Sequence, residues 1–192
     1  MAQANTKSQA IKNTPSAANT TAAAASSGQV GQYLTFLLGT ETFAIGILAI
    51  REIIEYASLT EVPMMPPYVR GVINLRGAVV PVLDLPVRFG KAANAVTKRT
   101  CIVIIEVVLG SQRHVLGLVV DAVNAVLDIP ASEIEPPPTF GASVRTEFIR
   151  GMVKVNNKFV ILLDVDRTLA ADELQALTEI QQDPAQADGQ AA

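Results

Sequence analysis

The sequence predicts an all-β fold built from small barrels, and two observations support this. From Tyr33 onward, short runs of β-branched residues and leucine follow one another, each interrupted by turn residues. The chain also repeats itself, because residues 70–85 align without a gap on residues 150–165 at an offset of 80. Many short strands with little helix are typical of small barrels, and two copies of one β unit do not make a long solenoid.

Ten strands are predicted from the alternation of apolar runs and turn residues. Their predicted bounds are 33–38, 42–48, 50–56, 72–75, 78–85, 101–108, 114–120, 123–129, 152–155 and 159–165. Gly39, Gly110 and the pair Asn156-Asn157 indicate hairpin turns, since glycine and asparagine tolerate a positive φ. Residues 171–182 have apolar residues at a three-residue spacing, which predicts a closing amphipathic helix.

The repeat also predicts how the chain is divided. Both copies begin with Arg-Gly, at Arg70 and Arg150, and an earlier apolar pair recurs at an offset of 70. We place the boundary in the polar stretch 91–98, so that the first unit covers about 31–97 and the second about 98–170. Residues 1–30 and 183–192 have no apolar periodicity, and we expect both to be disordered tails.

The distribution of charge excludes several functional classes. The net charge of −3 arises at the ends, because residues 1–30 contain two lysines and residues 171–192 contain five acids, whereas residues 31–170 are neutral. Nucleic acid is not an expected partner, since no basic run is present. No window reaches the roughly 20 apolar residues of a membrane span, and no secretory signal precedes the first strand. We therefore expect a cytoplasmic protein without direct membrane insertion.

The residue types that usually perform catalysis do not form a reactive set. One cysteine, Cys101, and one histidine, His114, fall short of a zinc site, and Cys101 lies in an apolar strand that favours an inert thiol. Asp84 and Asp164 end equivalent strands but lack the glycine loops of an aspartic protease, so a cap or hydrogen bond at the strand end is favoured. We expect no catalytic residue, no metal and no cofactor.

Two features leave their interpretation open. Arg76, in the stretch Asn74-Leu-Arg-Gly77, is either a solvated residue at a hairpin tip, with Gly77 supplying the unusual φ, or a fixed guanidinium that binds a partner. The proline-rich stretches 63–67 and 136–140 precede the two Arg-Gly strands and are expected to be stiff connectors. Phe140 ends the second of these, and it is either buried in the core or offered to a partner.

Several motifs together resemble the CheW family. The resemblance extends from about Gln32 to Leu169, and Ile50 stands where valine is usual in the family. The motifs of its first half are Ile50-Arg-Glu-Ile53, Pro63-x-x-Pro66, Gly71-Val-Ile-Asn-Leu-Arg-Gly77, Val80-Pro-Val82 and Asp84-Leu85. Those of its second half are Val120-Asp-Ala-Val123, Ile134-x-Pro136 and Leu162-Leu-Asp164.

The resemblance implies two pseudo-repeated five-stranded β-barrels packed together on a shared apolar interface, with a short C-terminal helix. It implies a non-enzymatic adaptor that couples the cytoplasmic tip of methyl-accepting chemotaxis receptors to the regulatory domain of the CheA histidine kinase. Receptor contact is implied in the groove between the barrels. By position, the receptor-binding residues are Ile50, Glu52, Asn74 and Arg76.

For the kinase, the resemblance implies contacts at Leu59, Gly71 and Phe140, of which Phe140 lies in a loop that helps to close kinase–adaptor rings. A related adaptor of a pilus-motility or other non-flagellar chemosensory system is the alternative. The same domain also occurs at the end of the kinase and fused to a receiver domain. With 30 residues before Gly31 and 22 after Ala170, we expect a stand-alone adaptor.

Overall fold

The structure is a computed structural model that describes residues 29–109, 112–137 and 146–167. Within these ranges the chain is mostly β-strand, with one short α-helix and four 3₁₀ turns. Several predictions concern residues outside these ranges: the predicted tail 183–192, nearly all of the predicted tail 1–30, the predicted helix 171–182 and Phe140. Val30 is described and already belongs to the first strand.

All ten predicted strands are confirmed. Their bounds are β1 Val30–Leu38, β2 Glu41–Gly46, β3 Ile50–Glu55, β4 Val69–Leu75, β5 Ala78–Asp84, β6 Cys101–Leu109, β7 Gln112–Val120, β8 Ala122–Pro130, β9 Ile149–Val155 and β10 Lys158–Leu163. The helix α1 is Leu85–Arg88, and the 3₁₀ turns are Ile47–Ala49, Ala131–Glu133, Thr146–Phe148 and Val165–Arg167. Strands β4 and β9 each begin three residues before the predicted start, because their Arg-Gly pairs lie within the strands and not in turns.

The strands form two five-stranded sheets with the same internal order. The central sheet has the order β3-β6-β7-β5-β4, and the terminal sheet has the order β8-β1-β2-β10-β9. Each sheet contains one parallel pair at the equivalent place, β5 with β7 and β10 with β2, among otherwise antiparallel pairs. The duplication seen in the sequence therefore extends to the whole sheet.

The predicted division near residue 97 does not separate the two sheets. Strands β1 and β2 are at the start of the chain but pair with β8 and β10 of the terminal sheet. The repeat 70–85/150–165 covers only two strands of each sheet, β4–β5 and β9–β10. The hairpin β6–β7, which completes the central sheet, follows β5 in the chain. Its counterpart in the terminal sheet, the hairpin β1–β2, comes before all the other strands. The second copy is thus a circular permutation of the first, which no gapless alignment can display.

The sheets are not the closed barrels that were expected. Among the described strands, no ladder joins β3 to β4 or β8 to β9. A connecting segment occupies the outer edge in each case: Thr60 exchanges two backbone hydrogen bonds with Val72 of β4, at 2.8 and 3.0 Å. Glu135 does the same with Met152 of β9, with both bonds at 2.8 Å. Since these segments use the backbone N–H and C=O groups at the edges of β4 and β9, β4 does not pair with β3 and β9 does not pair with β8.

The repeated Arg-Gly pair is explained by these crossings. A Cβ atom at Gly71 would overlap the carbonyl oxygen of Thr60, and a Cβ atom at Gly151 would lie 2.7 Å from the carbonyl oxygen of Glu135. Gly71 also has a φ of 141°, in the region that favours glycine. Glycine recurs at this position because another backbone passes directly over it.

Among the described residues, three apolar clusters hold the fold together, one between the sheets and one inside the curl of each. The shared cluster combines residues of both sheets, with Phe36, Phe43, Val103 and Leu118 among its fully buried members. The alternation of side chains along each strand sends every second residue to the shared cluster and the others into the curl of their own sheet. The expected shared apolar interface is therefore present. The curl clusters contain, in the central sheet, Ile73, Val80, Val82, Ile102, Ile104 and Val119, and in the terminal sheet, Tyr33, Ala44, Ile129, Val153, Val160 and Leu162.

Candidate functional site

One end of the central sheet brings together a side chain of one outer strand and a side chain of the turn that follows the other outer strand. Glu52 lies on β3 and Arg76 lies in the turn between β4 and β5, and their Oε2 and Nη2 atoms are 2.9 Å apart. Because β3 and β4 are opposite edges of the sheet, this ion pair spans the opening of the curl. The Arg76 side chain remains 79% exposed and that of Glu52 26% exposed, so one face of the pair is available to solvent.

The turn that carries Arg76 has an unusual backbone. Both Arg76 (φ 55°) and Gly77 (φ 89°) are left-handed, as in the tight turns whose backbone twist matches that of a β-hairpin. The Oδ1 atom of Asn74 accepts a hydrogen bond from the N–H of Gly77 at 2.8 Å, which fixes the turn. The predicted role of Gly77 is confirmed. The left-handed arginine was missed, although the aligned Asn156 of the second repeat indicates it, since asparagine is favoured in that conformation.

The four residues expected at the receptor contact are placed on two elements. Glu52 and Arg76 touch, and Asn74 supports the turn. Ile50, at the start of β3, is partly buried against the shared cluster. The structure thus brings the three polar residues together at one end of the central sheet, with Ile50 two residues away along β3.

Two of the three residues expected to contact the kinase, Leu59 and Gly71, lie at the crossing over β4. A Cβ atom at Gly71 would be 3.3 Å from the Cβ of Leu59, so these two positions are adjacent. Leu59 is partly buried against the curl cluster of the central sheet. It also lines an open depression with Tyr56 and Arg70. Phe140 lies outside the described residues.

A charged cluster on β3, β6 and β7 was not foreseen from the sequence. Glu106 accepts hydrogen bonds from Arg51 at 2.8 Å (Nε) and from Arg113 at 2.8 Å. The hydrogen bond from Arg51 is the largest cause that lowers the pKa of Glu106, and Arg113 contributes in the same direction. The register shift between Ile50 and Glu52 occurs beside Arg51, so this cluster ties an irregular edge strand to its neighbour.

The two repeated aspartates have structural roles. Asp84, 2% exposed, caps α1 by accepting the N–H of Val87 at 3.0 Å, and it lies 3.5 Å from Arg70. Its counterpart Asp164 lies 3.6 Å from Arg167. The predicted cap at Asp84 is confirmed.

The remaining candidates for chemistry show no reactive arrangement. Burial raises the pKa of Cys101, which makes its thiol less reactive at neutral pH. His114 is buried on β7. Over residues 29–109, 112–137 and 146–167, no three His, Cys, Asp or Glu side chains are grouped so that they could hold a metal ion. In the same ranges, no helix has the length and apolar character needed to cross a membrane.

The family model for the CheW-like domain matches residues 32–173. The chain belongs to the CheW-like family. Its relatives include the chemotaxis protein CheW of Klebsiella aerogenes, 34% identical over 152 residues that cover 79% of this chain and 89% of the relative. The chemotaxis protein CheW of Rhizobium meliloti is 34% identical over 145 residues, covering 76% and 91%. Protein FrzA of Myxococcus xanthus is 29% identical over 148 residues, covering 76% and 89%.

A solved CheW-like structure has the same fold. The crystal structure of the scaffolding protein TtCheW from Thermoanaerobacter tengcongensis matches with a TM-score of 0.68 and 32% identity, covering 76% of this chain and 91% of that one. The CheW-like family membership supports a scaffold role in chemotaxis signalling and not an enzymatic activity.

Proposed function

We propose that this CheW-like chain is an adaptor that couples methyl-accepting chemotaxis receptors to the CheA histidine kinase. It acts in the cytoplasm, is recruited to receptor arrays through its partners, and performs no catalysis. The receptor tip binds at the end of the central sheet marked by Glu52 and Arg76. The observation that supports this proposal best is the Glu52–Arg76 ion pair on a strained turn.

The strain on Arg76 argues for a recognition role. A left-handed backbone costs an L-residue other than glycine or asparagine roughly 1–2 kcal/mol. The exposed ion pair itself stabilises the fold by only about 0–1 kcal/mol. Fold stability therefore gives little reason for an arginine at this position. A planar guanidinium oriented by Glu52 can instead donate to carboxylate or amide oxygens of a receptor hairpin.

The kinase contact is proposed at Leu59 and Gly71, with Phe140 adding a contact in assembled rings. Leu59 supports this proposal because it is apolar, partly exposed and held beside Gly71 by the crossing segment. Receptor and kinase contacts would then lie at separate places on the central sheet. An adaptor must have this property if it binds two partners at once.

An alternative within the same class is an adaptor of a non-flagellar chemosensory system. The similarity to Protein FrzA of Myxococcus xanthus is the observation that favours it. Purification of the chain from its native cells, with identification of the bound kinase, distinguishes the two: a kinase that regulates flagellar rotation supports the main proposal.

The test is a titration of variants against a receptor-tip fragment and, separately, the kinase regulatory domain. We expect Arg76→Ala to weaken receptor binding about thirtyfold, which corresponds to roughly 2 kcal/mol. Kinase affinity should not change, and stability should change by less than about 0.5 kcal/mol. Arg76→Lys should restore part of the affinity, since an ammonium lacks the bidentate geometry.

Arg113→Ala is the matched control, because Arg113 is also an exposed, ion-paired arginine of the central sheet, with 75% of its side chain accessible. It should bind the receptor fragment like the wild type. Equal receptor affinities for Arg76→Ala and wild type would refute the proposed receptor contact.

A further inference from the structure

An arginine lies between aromatic rings contributed by both halves of the duplicated fold. Arg88 ends α1, and its Cζ atom is 4.7 Å from the ring centroid of Tyr68 and 5.2 Å from that of Phe148. The Arg88 residue is half-buried. Tyr68 directly precedes β4 of the central sheet, and Phe148 directly precedes β9 of the terminal sheet.

The two rings occupy equivalent positions in the duplicated fold. The backbone carbonyl of Tyr68 accepts the N–H of Asp84 at 2.8 Å, and that of Phe148 accepts the N–H of Asp164 at 2.9 Å. Both pairs of residues are related by the repeat offset of 80. Arg88 therefore contacts the same structural position in both sheets, whereas Thr168 stands at the counterpart of Arg88 in the sequence.

The surroundings of Arg88 fix its orientation. The neighbouring residue Phe89 packs its ring against Phe148, at 6.0 Å, and against Phe43, at 5.9 Å. The helix α1, which Arg88 ends and Phe89 directly follows, is capped at its start by the buried Asp84. Partial burial of a guanidinium has a desolvation cost that an apolar side chain of similar length would avoid. A flat cation held between two ring faces gains directional contacts that an apolar side chain lacks.

We propose that Arg88 is a positioning residue that holds the turn Thr146–Phe148 of the terminal sheet against the central sheet. It does so through the two ring faces, and it thereby sets where the chain enters β9. Residues 138–145, with Phe140 among them, lead directly into this turn. Insofar as Phe140 contacts the kinase, which rests on the proposed function, Arg88 also affects kinase binding.

Amide hydrogen exchange tests the positioning role in the full chain. In Arg88→Met, which keeps an unbranched apolar stem but removes the charged guanidinium, we expect the Asp164 amide to exchange at least about tenfold faster, because the Phe148 carbonyl that accepts it is no longer held. The Ile104 amide, in the middle of the central sheet, should exchange at the wild-type rate. Arg88→Lys should restore much of the Asp164 protection, since a cation between the rings is retained.

Two outcomes overturn the proposal. Wild-type exchange at Asp164 in Arg88→Met would show that the rings do not need the cation. An equal acceleration at Asp164 and Ile104 would show that Arg88 contributes to global stability and has no positioning role.

Kinase affinity gives a second readout. We expect Arg88→Met to bind the kinase regulatory domain about threefold more weakly or worse, with recovery in Arg88→Lys. Unchanged affinity would remove the link to the kinase contact. If the wild-type chain does not bind the kinase domain, the proposed function fails, whereas the exchange result still decides the role of Arg88.

Discussion

The two sheets share one strand order but differ at their hairpin tips. In the central sheet the turn between β4 and β5 has Arg76 and Gly77 at its left-handed positions, with φ values of 55° and 89°. In the terminal sheet the turn between β9 and β10 has Asn156 and Asn157, with φ values of 48° and 63°. Asparagine adopts this conformation at little cost, whereas arginine does not.

This difference distinguishes residues that the fold requires from residues that we attribute to function. The terminal tip has residues that suit the turn and no described ion pair to the opposite edge strand. The central tip keeps a less suitable residue and aims it at Glu52. Where two copies of one unit share a backbone, the copy that departs from the favoured residue is the better candidate for a binding site.

The irregular edge strands show a second difference of the same kind. At the register shift of β8, the Thr35 hydroxyl donates to the carbonyl of Ala125 at 2.7 Å and accepts its N–H at 3.2 Å. At the register shift of β3, Arg51 and Glu106 make an ion pair instead. The terminal sheet thus secures its edge with a neutral pair and the central sheet with a charged one, so only the second depends on pH.

The largest expected effect compares the two crossing glycines. Gly71→Ala should lower the free energy of unfolding by about 3 kcal/mol, because the new Cβ overlaps the Thr60 carbonyl and the backbone is left-handed. Gly151→Ala should cost about 2 kcal/mol, since it has the overlap without that φ. Urea unfolding of both variants measures the difference. Equal losses would mean that the conformation of Gly71 does not contribute.

The next prediction compares the two repeated aspartates. Asp84→Ala should cost about 2 kcal/mol, because it removes a buried helix cap and leaves Arg70 without its carboxylate. Asp164→Ala should cost less than about 1 kcal/mol, since 29% of its side chain is exposed beside Arg167. Chemical melts of both variants provide the test, and the comparison is contradicted if Asp164→Ala is the more harmful change.

A smaller effect is expected from exchanging the residues of the two tips. Arg76→Asn should leave stability unchanged or raise it by up to about 1 kcal/mol, because the turn gains a residue suited to it. Asn156→Arg should lower stability by a similar amount. Thermal melting of both variants measures the effect. Destabilisation by Arg76→Asn would show that the ion pair with Glu52 outweighs the backbone strain.

The smallest expected effect is the response of the charged cluster to acid. The pKa of Glu106 is lowered in the folded state by Arg51 and then Arg113, so its contribution to stability is present above the ordinary pKa of 4.5. It is lost as the pH falls through the lower folded-state pKa. Glu106→Gln should therefore be slightly less stable than wild type at pH 7, and this gap should close toward pH 3. Thr35→Val is the control in the terminal sheet, and its stability deficit should not vary over this range.

The sequence by itself determined the features that depend on neighbouring residues. The ten strands follow from local runs of apolar residues, and the turn at Asn156-Asn157 follows from the backbone preference of asparagine. The cap at Asp84 is equally local, because its acceptor and donor lie three residues apart. The family motifs added the expectation of two packed β-barrels. The two packed five-stranded sheets confirm this expectation, except that neither sheet closes into a barrel.

The tertiary structure alone decided which strands complete each sheet and which side chains meet. Strands β1 and β8 pair although about 90 residues separate them, as in Thr35 and Ala125, and no periodicity encodes such a pairing. The openness of the sheets depends on where a connecting segment crosses β4 and β9. The contact of Glu52 with Arg76 and the place of Arg88 between two rings depend on how the sheets curl and pack. These features arise from the burial of one shared apolar cluster. Its stability depends on many contacts between residues that are far apart in the chain, so no single stretch of sequence predicts it.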